Sequence, residues 1–536
     1  MSLAWSVDGL VVLAYFAVIL GIGLYMGRRE DSLHDFALGG RRIPWWAVLA
    51  SIIAAETSAG TFFGAPGEGY KLRNFTYLQL ALGTIIARIL VSYIFLKPYY
   101  DYNVYSVYEY LGRRFGTRTK NAASAVFLVT RTLASGSRIY VAAIILVLLV
   151  EMVRGASLDA DHKLLVYVLV SVGITALTAI YTTLGGIKAV IWTDFIQASI
   201  MMGSALAAGA ILFFSIPNGW ADVKEILPDG NLLFATGLDP ARHGWDQVKG
   251  MFETEYTVFA IVGAIFLNMA TFGTDQDMVQ RMLTAPDVRR SRRSLILSGL
   301  ADIPIALTFV GIGILLFAYF HSMPDPAQPK AENEIFAYYI LHRLPAGMRG
   351  LLLAGIFATA MGSLSTALNA LATSFVRDWY QPFINRGASE QQSLRAVRWA
   401  TVVFAVLLVT VSSATSYVTL KNPGLRIIPI ILGIFGYTYG SLLGVFFAGM
   451  LTKRRGDDTG NLLAMVVGFV VVAVLSGLPN QVFQIVSGHG LYPQPGWLPV
   501  MEFPWWVMFG SVTTFLVAVC FRTPAPEPPV IEVAQG

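Results

Sequence analysis

Long apolar segments separated by short polar loops make up most of the chain. Such segments lie at about residues 5–26, 43–64, 75–98, 121–152, 163–183, 188–216, 252–274, 296–320, 349–376, 397–417, 425–451, 460–478 and 503–521. Each is long enough to cross a hydrocarbon core of about 30 Å as a helix. The pattern therefore predicts an all-α integral membrane protein with about thirteen transmembrane helices.

The composition agrees with that pattern and excludes a soluble enzyme. Of 536 residues, 55% are hydrophobic and 13% are charged, and the mean hydropathy is +0.61. Soluble domains carry about 25% charged residues. The expected surroundings are thus a lipid bilayer, and the net charge of +5 indicates no nucleic-acid partner, because the basic residues cluster in alternate loops.

The distribution of those basic residues predicts the orientation. Arginine and lysine are concentrated in the loops at 28–42, 113–120, 281–293, 377–398 and 453–455. Loops that stay in the cytoplasm retain such residues. With an odd number of spans, we expect the N-terminus outside and the C-terminus in the cytoplasm, in the inner (plasma) membrane of the cell.

Charged residues within the apolar segments are candidates for function. Each costs about 2.5 to 3.5 kcal/mol at the centre of a span, so it needs a partner or a water-filled cavity. For some of them a structural ion pair or a side chain that reaches the membrane surface explains the charge equally well; these are Arg88, Arg131 and Asp302. For Glu56 and Arg138 a functional role is the better interpretation, because of their neighbours. Asp194 and Asp275 also lie within or at the edge of apolar segments.

Runs of small and hydroxylated residues predict breaks in the helices. Residues 54–61 place Glu56, threonines, a serine and a glycine in the middle of a span, where a broken helix would free backbone carbonyls. A second such run lies at 359–366, and a third possible break lies at 269–273. Close packing through small residues would explain the alanines and glycines but not the hydroxyls. The first and third breaks lie five spans apart, which is typical of the inverted repeats of secondary transporters.

Several short motifs carry a resemblance to a known family. They are Gly39-Gly40-Arg41-Arg42-Ile43-Pro44-Trp45-Trp46, Gly64-Ala65-Pro66-Gly67, Tyr181-Thr182-Thr183-Leu184-Gly185-Gly186 with Ala189-Val190-Ile191-Trp192-Thr193-Asp194, Gly273-Thr274-Asp275-Gln276 with Gln280-Arg281, Ala367-Leu368-Asn369 with Ala372-Thr373, and Ser441-Leu442-Leu443-Gly444 with Gly449 and Leu451-Thr452-Lys453-Arg454. In this order, over about residues 5 to 456, the chain resembles the sodium:solute symporter family. The likeness is much less specific for the substrate.

The resemblance implies a LeuT-type core with five-plus-five inverted repeats. The corresponding division of the chain is a leading helix and first inner loop at 1–38, a ten-helix transporter core at 39–456, two trailing helices at 457–522 and a disordered cytoplasmic tail at 523–536. A monomer is expected.

The resemblance also implies sodium ligands. Between the first and eighth core helices they would be the backbone carbonyls of Ala54, Thr57 and Thr359, the hydroxyl of Ser363, and residue 362. The family usually has serine or threonine at 362, so Gly362 removes one hydroxyl ligand here. A second site, found in some relatives, falls on Ser365, Thr366 and Asp194. All are oxygen ligands, which hard cations prefer.

For the substrate, the likeness points to the branch of the family that binds sialic acid. That branch grips a carboxylate with residues that correspond here to Ser58, Thr61, Gln79 and Arg138. Arginine suits a carboxylate because its planar fork donates two parallel hydrogen bonds. Glu56, where proline carriers have an aspartate, would organise the sodium site or pair with Arg138. A salt bridge of Arg138 to Glu56 or another buried acid is the structural alternative.

The expected function is therefore sodium-coupled import of a small organic solute by alternating access. A carboxylate such as sialic acid or a monocarboxylate is the first hypothesis, and a neutral solute such as a sugar, proline or a vitamin is the alternative. A channel, and a sensor with a soluble output domain, fit the sequence less well. An enzyme is not expected, since the chain has no HExxH zinc motif and no GxxxxGK phosphate loop.

Overall fold

The structure is a computed structural model that describes residues 3–27, 32–57, 59–154, 156–228, 236–254, 257–330, 332–421, 427–480, 483, 499 and 501–523. These residues form helices joined by turns and loops, with one isolated backbone bridge between Arg455 and Arg522. The expected tail beyond residue 523 and the predicted substrate residue Ser58 lie outside the described part of the chain. The all-α class predicted from the hydropathy pattern is confirmed.

The described residues contain a series of α-helices, with a 3₁₀ turn, Gly39–Arg41, after the second. They are α1 (Leu3–Met26), α2 (Leu33–Leu38), α3 (Trp45–Glu56), α4 (Ala59–Leu72), α5 (Leu78–Ile94), α6 (Leu96–Asp101), α7 (Tyr108–Arg114), α8 (Thr117–Arg154), α9 (Ala160–Ser215), α10 (Trp220–Glu225), α11 (Trp245–Glu253), α12 (Ala260–Thr274), α13 (Gln276–Met282), α14 (Val288–Ser322), α15 (Glu332–Arg343), α16 (Met348–Phe375), α17 (Glu390–Lys421), α18 (Ile427–Leu451), α19 (Gly460–Leu475) and α20 (Phe503–Cys520). A π-helical turn, Val376–Ile384, extends α16.

The membrane-spanning helices are the long apolar ones. In the part of the chain that is described, nine helices are long and apolar enough to cross a bilayer, or ten when the bent pair of α3 and α4 counts as one span. Two further apolar helices are shorter, α12 with 15 residues and α19 with 16. The chain is thus a multi-pass membrane protein, and the number of about thirteen spans stays a prediction.

Helix α9 contains a sharp kink at Gly186. Its backbone there has φ 49° and ψ −151°, which side-chain-bearing residues rarely adopt. A Cβ at this position would also lie 2.7 Å from the carbonyl oxygen of Phe36. The kink falls between the two apolar segments predicted at 163–183 and 188–216, so the 56 residues of α9 form two helical segments joined at Gly186.

The predicted break in the first core helix is present. Helix α3 ends at Glu56, Thr57 has extended backbone with φ −76° and ψ 96°, and α4 begins at Ala59. The segments Trp45–Glu56 and Thr61–Leu72 are inclined by 64°. The last carbonyls of α3 therefore lack partners within the helix.

The other two predicted breaks need correction. The break proposed at 269–273 is wrong, because α12 stays helical through Thr274 and the extended residue is Asp275, whose side chain caps α13. The run at 359–366 lies inside the continuous helix α16. Its hydroxyl groups donate hydrogen bonds to backbone carbonyls of α16 itself. Small polar residues alone therefore do not break this helix.

Helix α16 is the central element of the fold. In its most apolar window, 89% of the residues are buried, the largest share among the spanning helices described. It packs most extensively against α9 and also contacts α1, α3, α8 and α17. A helix surrounded on all sides brings its polar residues next to several neighbours at once.

Two glycines bring α4 and α14 into backbone contact. A Cβ built on Gly69 would lie 2.1 Å from the carbonyl oxygen of Val310, and one built on Gly313 would lie 2.0 Å from that of Pro66. No side chain fits at either place. Small residues of this kind let helices in membranes approach closely and pack tightly.

The leading helix α1 is fastened to the start of α16 by a buried ion pair. Asp8 lies within 2.6 Å of Arg349 Nε, and its other carboxylate oxygen accepts hydrogen bonds from the backbone amides of Gly347 and Gly350. Asp8 is buried. One carboxylate thus serves both as counter-ion of Arg349 and as acceptor for amides at the start of α16, which have no acceptor within the helix.

Candidate ion and substrate site

Three of the expected sodium ligands lie together where the broken end of α3 faces the middle of α16. The clearest contact is at Gly362, where an ideal Cβ would lie 3.5 Å from the carbonyl oxygen of Ala54 and 3.6 Å from Asp194 Oδ1. The structure therefore brings together Ala54, Gly362 and Asp194. Residues that the resemblance assigned to two separate sites here share one place.

The hydroxyl groups of α16 each donate to a carbonyl one turn earlier. Thr359 donates to Ile356, Ser363 to Ala360, Ser365 to Gly362 and Thr366 to Ser363, over 2.8 to 3.1 Å. All four expected ligands are buried. A hydroxyl whose proton is used in this way still has lone pairs available for a cation.

Asp194 is held in place from one side only. Its Oδ2 accepts a hydrogen bond of 2.6 Å from Ser51 on α3 and lies 3.8 Å from Arg281 Nε. Its Oδ1 is buried and accepts no hydrogen bond from any residue that the structure describes. The arginine and the serine orient the carboxylate so that the unused oxygen points toward α16.

Arg138 has no carboxylate within 4.0 Å among the described residues. Its guanidinium lies 5.0 Å from the centre of the Phe435 ring. Together with Ser135, Ala360 and Ser363 it lines a small cavity between α8 and α16. A predicted substrate residue and a predicted sodium ligand therefore open into the same space.

Of the two roles expected for Glu56, the pairing with Arg138 is not the one found in the structure. Glu56 forms an ion pair with Arg88 of α5, which also binds Asp302 Oδ2 over 2.7 Å and donates to Ser298 Oγ over 2.7 Å. The Arg88 guanidinium lies 4.2 Å from the centre of the Phe272 ring. Arg88 is fully buried, and its two acidic partners supply the neutralisation that such a position demands.

The remaining substrate candidates lie on the helices next to the break. Thr61 is partly buried on α4, and Gln79 is buried on α5 with 1% of its surface exposed. Ser58 falls outside the described residues. A common role of Thr61 and Gln79 with Arg138 remains a prediction.

A second cluster of buried charges contains Arg131, Arg281 and two aspartates. Arg131 forms ion pairs with Asp275 and Asp277, and Arg281 lies 3.3 Å from Asp277 as well as near Asp194. The sequence pattern did not single out Asp277, and it placed Arg281 only in a basic loop and a family motif, because both residues follow the apolar segment of α12. The pattern did not single out Gln197 either, although its position three residues after Asp194 puts both on one face of α9.

Comparison with known proteins agrees with the family resemblance found in the sequence motifs. The profile of the sodium:solute symporter family matches residues 36–468. The sodium/sialic acid symporter NanT of Aliivibrio fischeri is 28% identical over 469 residues, covering 87% of each chain. The sodium/sialic acid symporter SiaT of Proteus mirabilis is 28% identical over 471 residues, covering 87% of this chain and 88% of the relative.

A solved structure extends the likeness to the fold. A Na⁺-coupled sialic acid symporter, in a substrate-bound outward-open state, superposes with a TM-score of 0.76 and 25% identity, over 96% of this chain and 97% of that one. The LeuT-type fold expected from the resemblance is confirmed. The chain belongs to the sodium:solute symporter family, and it is a sodium-coupled transporter of a small solute rather than an enzyme.

Proposed function

We propose that the protein imports a small carboxylate together with sodium by alternating access. The observation that carries the proposal is the position of Arg138, which faces a cavity shared with Ser363 and has no carboxylate within 4.0 Å among the described residues. A buried cation of this kind is costly unless an anion neutralises it. A carboxylate substrate would supply that charge through two parallel hydrogen bonds.

Sialic acid is the first candidate, because the relatives NanT and SiaT are sialic acid symporters. A monocarboxylate is the second, since a sodium-coupled monocarboxylate transporter of Homo sapiens is 26% identical over 487 residues. We propose that Thr61, Gln79 and Ser58 hold the remainder of the substrate. Glu56 is engaged by Arg88, so its proposed role is to fix the end of α3 rather than to contact an anion.

Sodium would be bound beside this cavity. The proposed ligands are the carbonyls of Ala54, Thr57 and Thr359, the hydroxyls of Ser363, Ser365 and Thr366, the carboxylate of Asp194, and the space at Gly362. Sodium at this position would join the end of α3 to α16 and α9. That link explains why sodium would favour the conformation that binds substrate.

The oligomeric state, the membrane and the orientation of the chain are also part of this proposal. The chain would work as a monomer in the lipid bilayer of the inner membrane, with its N-terminus outside and its C-terminus in the cytoplasm. Residues 39–456 would form the transporter core, preceded by one helix and followed by two.

Uptake into proteoliposomes tests the substrate. Labelled sialic acid, short monocarboxylates, proline and glucose are offered with and without an inward sodium gradient. We expect accumulation of a carboxylate only with sodium, and at least about tenfold loss for Arg138→Ala, the cost of losing a hydrogen bond to a charged group. Accumulation of a neutral solute alone would overturn the carboxylate proposal and make Arg138 a structural residue.

A second measurement separates loss of substrate binding from misfolding. Sodium binding by purified Arg138→Ala without substrate is expected to match that of the unmodified protein. Arg138→Lys, which keeps the charge but not the fork, is expected to recover only part of the uptake.

A further inference from the structure

Oxygen atoms from two other helices lie beside Gly362, where the family usually has a residue with a hydroxyl group. An ideal Cβ on Gly362 would lie 3.0 Å from Gln197 Oε1, 3.5 Å from the Ala54 carbonyl oxygen and 3.6 Å from Asp194 Oδ1. The three oxygens come from α9 and α3 and converge on one point beside α16. The glycine leaves room where a side chain would otherwise stand.

Two of these oxygens are buried and accept no hydrogen bond from the described residues. Asp194 and Gln197 are 0% and 1% exposed, and within the described part of the chain no group donates to Asp194 Oδ1 or Gln197 Oε1. A carboxylate oxygen, a carboxamide oxygen and a backbone carbonyl can only accept. A single water donates two hydrogens and would leave one of the three unsatisfied, whereas a cation attracts all three.

The amide group of Gln197 is oriented by the leading helix. Gln197 Nε2 donates to the hydroxyl of Tyr15 on α1 over 3.3 Å, and that hydroxyl lies 3.7 Å from the sulfur of Met361. The nitrogen therefore faces α1, and the oxygen faces Gly362. A neighbour that fixes the direction of a ligand commonly affects cation affinity about 10- to 100-fold.

We propose that Gln197 Oε1 is a sodium ligand that replaces the hydroxyl absent at Gly362, with Tyr15 as its positioning residue. This inference rests on the sodium site of the proposed function and deepens it. The site then includes Asp194 Oδ1 and the Ala54 carbonyl as its other close oxygens. Helix α1, outside the expected ten-helix core, acquires a direct effect on ion binding.

The test is sodium binding to the purified full-length protein without substrate, measured with radioactive sodium. Gln197→Leu, similar in size but without the oxygen, is expected to weaken sodium binding about tenfold or more. Tyr15→Phe is expected to weaken it less. Ser199→Ala, on an exposed part of the same helix where the hydroxyl bonds its own backbone, is the control and should bind as the unmodified protein does.

Restoring the hydroxyl gives the sharper test. Gly362→Ser alone is expected to reduce binding, because its Cβ would crowd Gln197 Oε1 at 3.0 Å. In the Gln197→Ala background the same change is expected to improve sodium binding over Gln197→Ala alone, since the hydroxyl then supplies the oxygen in a vacated space. The double variant also shows that a loss in the single variants is not misfolding.

Unchanged sodium affinity in Gln197→Leu, or no recovery in the double variant, would overturn the inference. Absence of sodium binding in the unmodified protein would overturn it as well. Failure of the substrate proposal looks different: sodium then binds with the predicted pattern of variants, while no carboxylate accumulates in proteoliposomes.

Discussion

Ser51 Oγ donates a hydrogen bond of 2.6 Å to Asp194 Oδ2, which joins the first half of the broken helix to α9. Arg281 Nε donates to the same serine over 3.0 Å. The serine therefore links Arg281 to the carboxylate of Asp194. Its hydrogen bond holds Oδ2, so that Oδ1 faces Gly362. Both α3 and α9 contribute to the geometry of the proposed ion site through this one contact.

Removal of the Ser51 hydroxyl is expected to weaken sodium binding. Ser51→Ala takes away a hydrogen bond to a charged acceptor, worth about 1.5 to 3 kcal/mol, and lets Asp194 turn toward Arg281. Ser204→Ala is a matched control, because that buried hydroxyl bonds only the backbone of its own helix. Equal sodium affinity in the two variants, measured without substrate, would contradict the role given to Ser51.

The ion pairs of Arg88 predict unequal effects of its partners. Arg88→Met leaves Glu56 and Asp302 without their cation and is expected to cost about 3 to 5 kcal/mol of folding stability. Glu56→Gln leaves the arginine paired with Asp302 and is expected to cost distinctly less. Thermal unfolding in detergent compares them, and equally large losses in melting temperature would show that Asp302 does not compensate.

The attachment of α1 predicts that a charge reversal fails. Asp8→Ala is expected to lower the melting temperature and to expose α1 to proteolysis, because Arg349 and two backbone amides lose their acceptor. Exchanging the charges with Asp8→Arg and Arg349→Asp is expected not to restore stability, since the amides of Gly347 and Gly350 need an acceptor on α1. Full recovery by the exchange would reduce the contact to simple charge attraction.

Sodium itself is expected to stabilise the folded protein. A ligand that binds only the folded state at 100 times its dissociation constant adds about 2.7 kcal/mol. The melting temperature should therefore rise with sodium chloride but not with choline chloride at equal ionic strength. In Asp194→Asn this rise is expected to shrink strongly, and an unchanged rise would place the ion elsewhere.

The single cysteine offers a test of the orientation. Cys520 is exposed at the end of α20 and is the one cysteine in the sequence. With the C-terminus in the cytoplasm, a membrane-impermeant maleimide should label it in inside-out vesicles and spare it in intact cells. Cys520→Ser provides the blank, and labelling of intact cells would reverse the proposed topology.

The spans and the first break could be predicted because they depend on local sequence. Hydrocarbon thickness fixes the length of an apolar segment, and the hydroxyl-rich run near Glu56 coincides with the end of α3. The similar run at 359–366 does not end α16, so such a run alone is not sufficient. The break after α12 was displaced to Asp275 because the capping side chain, rather than the small residues before it, determines where α13 begins.

The charge partners could not be predicted, because they depend on how the helices are rotated against one another. The partner of Glu56 is Arg88 on α5. Nothing in the sequence of either segment favours Arg88 over Arg138 as that partner. The same limit applies to Gln197, whose importance arises only once α16 places Gly362 beside it. The sites of sodium and substrate proposed here rest on that geometry and on family likeness together.

The glycine contacts between α4 and α14 constrain how the molecule can change shape. At Gly69 and Gly313 the two helices touch backbone to backbone, and at those two points no side chain separates them. We expect α4 and α14 to rotate together as one rigid unit during the transport cycle, with the extended residue Thr57 as the hinge. Closure around the substrate would then involve movement of both helices, at the ends where they meet the neighbouring segments, and not movement of α4 alone.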